Sequence, residues 1–133
     1  HYYEMLKLNP GDNQGIRYLL LGEYLVAGRL ERATKLLDAY DEDAGAVFTW
    51  GRVLERHAVG DLDGATRALD VARRFNRHAE KYLSGRKAAP RVRGDTYSFG
   101  DESEAAVCVD CLGAAWKRHP EAVAWLRVQS PQR

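Results

Sequence analysis

Through most of the chain, apolar residues return every three or four positions, the spacing with which a helix turns one side toward a core. Ile16, Leu19, Leu20 and Val26 form such a stripe, with Glu23 set in it, broad enough for a helix packed on two sides. The pattern predicts helices near 1–8, 14–27, 30–40, 45–58, 62–75, 77–85, 102–118 and 120–128. Pro90, Gly94 and Gly100 interrupt the period and mark a long loop at 86–100. Beyond it, Asp101 and Glu104 have the spacing of a capping box that opens the next helix.

The pattern also repeats. Shifted by 32 residues, the segment Gly28–Asp38 lies over Gly60–Asp70, and Gly, Leu, Ala, Thr, Leu and Asp coincide. Each copy reads as a helix–turn–helix corner. Gly28 and Gly60 suit the left-handed conformation that ends a helix. Glu31, Asp61 and Asp63 place negative charge at the start of the next one, where the helix dipole favours it. Ala33 and Ala65 are small where two axes approach, and Leu37 and Leu69 fill the space four residues on. Cys108, Leu112 and Ala115, followed by Pro120, repeat the spacing of Ala65, Leu69 and Ala72 at a longer offset of 43, as if a third unit carried the 86–100 insertion. Leu8-Asn9-Pro10 closes a partial unit before the first full one. The expected fold is therefore all-α: a right-handed stack of antiparallel helix pairs, seven or eight helices in one domain. Its parts are a partial repeat at 1–10, repeats at 14–45, 46–77 and 78–119, and a terminal helix at 120–128. A chain opening in mid-repeat is expected to be part of a longer protein, with Tyr2 and Met5 on a raw edge.

Tyr18-x-x-Leu21-Gly22-x-x-Leu25, with the corners above, resembles the tetratricopeptide superfamily over most of the chain, although Gly45 and Arg77 stand where that family closes a unit with proline. A narrower resemblance rests on Phe75-Asn76-Arg77-His78, Lys81-Tyr82-Leu83, Gly100 to Ala105 and Ala115-Trp116-Lys117-Arg118. This series is similar to the C-terminal part of the suppression-of-tumorigenicity-seven family. Leu8 to Tyr18 is similar to an opening shared by bacterial proteins of unassigned function. Both resemblances imply helical-repeat architecture, and neither implies a catalytic residue.

Composition narrows the function classes. Twenty Lys and Arg against nineteen Asp and Glu leave a formal charge of +1, so no overall field draws nucleic acid or anionic lipid. No apolar run approaches the length of a membrane span. Two cysteines make no disulfide framework, which points to a reducing, cytoplasmic setting.

The chemistry-bearing residues read mostly as structure. Cys108 and Cys111 lack the second ligand pair of a zinc site and the βαβ setting of a redox pair, and Cys108 falls in the small-residue slot of Ala33 and Ala65. His1, His57, His78 and His119 are scattered, without a nucleophile and acid at helical spacing. Asp41-Glu42-Asp43 lacks the alternate spacing of a calcium loop and reads as a polar turn. Gly11 to Gly15 lacks the signature of a phosphate loop. Arg86, Lys87, Arg91 and Arg93 stand near Tyr97 and Phe99, the ingredients of a single-strand-binding surface, but four charges on one loop bind weakly. That loop is expected to fold back through Val92, Tyr97 and Phe99.

No metal, cofactor or catalytic group is therefore expected. The expected function is a non-enzymatic scaffold holding a peptide or partner helix in a concave groove. Ile16, Leu19, Glu23 and Val26 would line it from one unit, and Phe48, Arg52, Glu55 and Arg56 from the next, with Arg52 and Arg56 supplying polar specificity. The alternative is self-association, or docking within a larger chain, through the edge at residues 1–8.

Overall fold

A glycine in the left-handed region ends each of the two repeated corners: Gly28 at φ 75° and Gly60 at φ 89°. There the computed structural model, which describes residues 14–90 and 97–129, breaks the predicted helices as expected. Helix α1 (Gln14–Ala27) turns at Gly28 into α2 (Leu30–Ala39), and α3 (Ala46–Ala58) turns at Gly60 into α4 (Leu62–Phe75). Then come the short α5 (Ala79–Leu83), α6 (Glu102–Lys117) and α7 (Pro120–Gln129). The described residues are helical throughout, without strands. The partial unit at 1–10, with its helix, and Arg91, Val92 and Arg93 of the loop lie outside the described residues.

Two starts carry the acidic caps that the sequence pattern required. Asp61 accepts from the Gly64 N–H at 2.9 Å, and Asp101 accepts from the N–H groups of Ser103 and Glu104. The capping box of α6 is only half formed, because the Glu104 carboxylate turns inward instead of back to Asp101. Helix α5 is shorter than the expected 77–85. Asn76 accepts from the His78 N–H at 3.0 Å and holds the chain in a turn before the helix, and Gly85 at φ 78° ends it.

Burial follows the small-residue register: Ala33, Ala65 and Cys108 are fully buried, with Leu37, Leu69 and Leu112 beside them. The core runs through α1, α3 and α6 with Leu21, Leu25, Trp50, Val53, Leu54, Leu112 and Trp116. Helix α3 packs against α1, α2, α4, α6 and α7. Helix α6 packs against α1, α3, α5 and α7. A purely linear stack would keep the third unit away from the first, since each repeat would touch only its neighbours. Here α6 lies against both α1 and α3.

Candidate partner-binding faces

Two sides of α3 define what the molecule can present. On the inner side α6 comes very close. A Cβ on Gly22 would fall 2.3 Å from the Cys111 carbonyl oxygen, and one on Gly51 would fall 2.6 Å from Leu21. The absence of side chains at these positions lets α6 settle between α1 and α3. Polar bonds then fix it. The Glu104 carboxylate is buried and accepts from the Ala46 N–H at 2.8 Å, satisfying one of the orphan donors at the start of α3. It also accepts from the Gly100 N–H at 2.8 Å and from Asn76 Nδ2 at 2.9 Å. Asn76, itself buried, donates to the Asp101 carbonyl, and its own carbonyl accepts from Trp50 Nε1 at 2.9 Å. The Cys108 thiol donates to the Ala46 carbonyl at 3.5 Å. This side of α3 is closed to a partner.

On the outer side α3 faces α2 and α4. Glu55 is fully buried there and accepts from Thr34, Arg52 and Arg56. Burial pushes its carboxyl up, but the bonds from Arg56, Thr34 and Arg52 outweigh that and hold it below the usual carboxylate range. The same pairing pushes the Arg56 guanidinium up. Arg52 continues to Asp38 at 2.7 Å, and Arg56 to Asp61 at 3.2 Å, so one network ties α2, α3 and the start of α4 together. Beside it lies a trough of about 150 Å³ lined by Leu37, Tyr40, Phe48, Arg52, Ala68 and Val71, with Asp41 and Asp43 at one end. Phe48 forms its floor, tilted against Tyr18 at 5.3 Å and edge-on to Tyr40 at 6.2 Å. Val71 and Phe75 stand one turn apart on α4 and are 37% and 48% exposed.

The eight residues expected to line one groove are therefore divided. Ile16, Leu19, Glu23 and Val26 lie on the side of α1 away from Tyr18, Leu21 and Leu25, where Leu19 is 42% exposed. Phe48 and Glu55 are buried within the stack, and Arg52 and Arg56 are half-buried and ion-paired. Of the eight, Phe48 and Arg52 share the trough on the outer side. The reason is rotation about α3: Ala46 and Trp50, four residues apart on one face, turn inward, so Phe48, Arg52 and Glu55, roughly opposite at about 100° per residue, turn toward α2 and α4.

Three residues do more than the sequence pattern predicts: Asp43 of the polar turn, Glu104 of the capping box and Asn76 of the Phe75–His78 series. Asp43 accepts from Arg17 at 2.9 Å, from the Tyr18 hydroxyl at 2.9 Å and from the Gly45 N–H at 2.8 Å, so the acidic turn pins α1 to the start of α3. The Arg17 guanidinium also lies 4.4 Å from the Tyr40 ring centre. Glu104 and Asn76 bring together the Phe75-Asn76 and Gly100–Ala105 segments that carry the narrower resemblance; that juxtaposition is the signal that was available. Phe99 does not fold back: it is 68% exposed, edge-on to a half-buried Tyr97 at 5.7 Å.

Cys108 is buried and Cys111 half-buried, both as free thiols. Burial, with Asp110 beside it, pushes the Cys111 thiol up to about 11, and burial pushes Cys108 well above its ordinary value. Among the described residues, no group of three or more His, Cys, Asp or Glu side chains is placed to hold a metal ion. No helix among them is long and apolar enough to cross a membrane.

These contacts define a class: among the described residues, an all-helical domain whose longest helix closes one side of α3 and leaves a trough open on the other. Compared with family models, with curated proteins and with solved structures, the chain finds no match in any of the three.

Proposed function

We propose that the chain is a tetratricopeptide-like helical-repeat scaffold of the cytoplasm that binds a partner protein and runs no reaction, and that its gripping surface is the trough between α2 and α4. The observation that supports this is the pairing of an apolar floor with an unpacked rim. Phe48 and Leu37 lie at the bottom, while Val71 stands exposed at its edge. At about 150 Å³ the trough is smaller than the roughly 300–1,000 Å³ of small-molecule sites. It suits one or two anchoring side chains of a helix or extended segment laid across it. Arg52, Asp38 and Asp41 give its edge both signs of charge, so polar residues of the partner set register there.

The test compares wild type and Val71→Asp as baits in cell lysate. A partner held by the wild type is lost from Val71→Asp while the variant melts as the wild type does. A partner retained equally by both baits overturns the trough assignment. The competing reading, self-association, is favoured by the exposed Leu19 on α1. It predicts a concentration-dependent dimer in sedimentation that Leu19→Glu abolishes and Val71→Asp does not.

A further inference from the structure

A larger relief than the trough lies elsewhere. Between α5, α6 and α7 runs an open cleft of about 1090 Å³, floored by Val109, Gly113, Ala114 and Val123, and rimmed by Lys87, Lys117 and Arg127 against a single acid, Asp110. We propose that this cleft binds a carboxylate-bearing peptide segment of a partner protein, with Arg127 as its fixed anchor. The inference goes beyond the trough and stands on separate residues.

Arg127 is pre-set for the task. Its Nε donates to the Ser84 carbonyl at 2.6 Å, which fixes the plane of the guanidinium and leaves its terminal N–H groups for a carboxylate fork. The group lies over Gly85: a Cβ there would fall 2.8 Å from Arg127 Nη2, and Gly85 also sits at φ 78°. The missing side chain therefore makes the seat of the guanidinium as well as the turn. Neither Lys87 nor Lys117 makes an ion pair with another described residue.

The chemistry favours a peptide over a nucleic acid. Single strands need aromatic faces for base stacking and several phosphate contacts. Tyr82 is the only aromatic side chain in the lining, and it is engaged: Lys81 Nζ lies 5.1 Å from its ring centre and its hydroxyl donates to Glu102 at 2.7 Å. Asp110 would repel a continuous run of phosphates. A peptide that alternates apolar and acidic residues places the first on the Val109 and Val123 floor and the second on the cationic rim. The cleft is too open to bury most of a small molecule, as metabolite sites do, but a main chain can lie along the bare floor of Gly113 and Ala114.

The test is fluorescence anisotropy with a short labelled peptide alternating Leu and Glu, a copy with Gln for every Glu, and an oligouridylate. The wild type should bind the Glu peptide about tenfold more tightly than the Gln copy. Lys117→Glu should weaken that binding by about tenfold, without a change in melting temperature. Arg127→Lys, which keeps the charge but not the fork, should also weaken it, whereas Val71→Asp should leave it unchanged. Absence of Glu-peptide binding, equal binding of the Gln copy, tighter binding of the oligouridylate, or an affinity indifferent to both Lys117→Glu and Arg127→Lys would each overturn the proposal. Because Lys117 makes no ion pair among the described residues, its variant keeps the test valid even if Arg127→Lys loosens the Ser84 bond.

Discussion

The two sides of α3 are built from different materials. Toward α6 stand Ala46 of α3 and Gly22 of α1, and a methyl group on that glycine would collide with the Cys111 carbonyl of α6. Toward α2 and α4 stand Phe48, Arg52 and Glu55; α4 packs along α3, and a trough remains beside Phe48 and Arg52, between Leu37 of α2 and Ala68 and Val71 of α4. Close packing without voids excludes ligands. Large side chains spanning a gap between helices leave relief for one to enter. The difference teaches that in this molecule the open relief beside α3 follows which side chains that helix turns outward more than it follows which helix comes first in a pair.

The largest effects should come from the sealed side. Trp50 is fully buried and its indole N–H is committed to the Asn76 carbonyl. Trp50→Ala should cost about 3–5 kcal/mol of stability from lost burial and the cavity left behind. Urea unfolding measures it. A cost near that of an ordinary surface change would mean that α6 and α3 are not in register as described.

The next effect isolates the polar bonds from the apolar seal. Glu104→Ala removes the acceptor for the Ala46 and Gly100 N–H groups and for Asn76 Nδ2. Leaving buried donors unsatisfied should cost about 1–3 kcal/mol. Hydrogen exchange sharpens the comparison. The Ala46 amide should exchange faster in Glu104→Ala, while amides in the α2–α4 corner keep the wild-type rate. Uniform acceleration would show that the two sides of α3 do not behave separately.

A smaller effect is pH-dependent. His57 stacks tilted on Trp125 at 5.4 Å. Burial lowers its pKa from 6.5, with His119 adding to the lowering and Glu121 opposing it. The unfolded chain then takes the proton first, so stability is full above about 6.5 and falls as pH drops from there toward the folded pKa. His57→Phe keeps a ring against Trp125 and should flatten that slope. An unchanged slope would place the acid sensitivity on other groups. Glu55 titrates lower still, since its depressed pKa keeps it charged until pH falls through that value.

Much of the helical frame was legible in the sequence because it depends on local rules. Gly28 and Gly60 end helices, Asp61 and Asp101 cap them, and Ala33, Ala65 and Cys108 mark buried contacts. The placement of α6 was not legible, because spacing says that a helix has a small-residue face but not which helix receives it. Glu104 shows the same limit. Its position predicts a local cap, yet the carboxylate satisfies donors on α3 and in the preceding loop, a long-range choice that no local pattern encodes. The expected groove failed to assemble for a rotational reason. A turn of about 100° per residue separates Phe48 from Trp50 by most of a half-circle, so choosing the wrong one reverses the surface.

The smallest stability effect should belong to the open side, and that smallness is what makes it decisive. Val71 is 37% exposed at the rim of the trough, so Val71→Asp buries no charge and should change stability by less than about 0.5 kcal/mol. A carboxylate there would nevertheless face Phe48 and Leu37 across the space where an apolar anchor must sit, and desolvating it would weaken any partner relying on that contact. Thermal unfolding and partner recovery on the same preparation separate the two quantities. If Val71→Asp destabilises the chain as strongly as Glu104→Ala, the trough is core rather than surface, and the contrast between the two sides of α3 disappears.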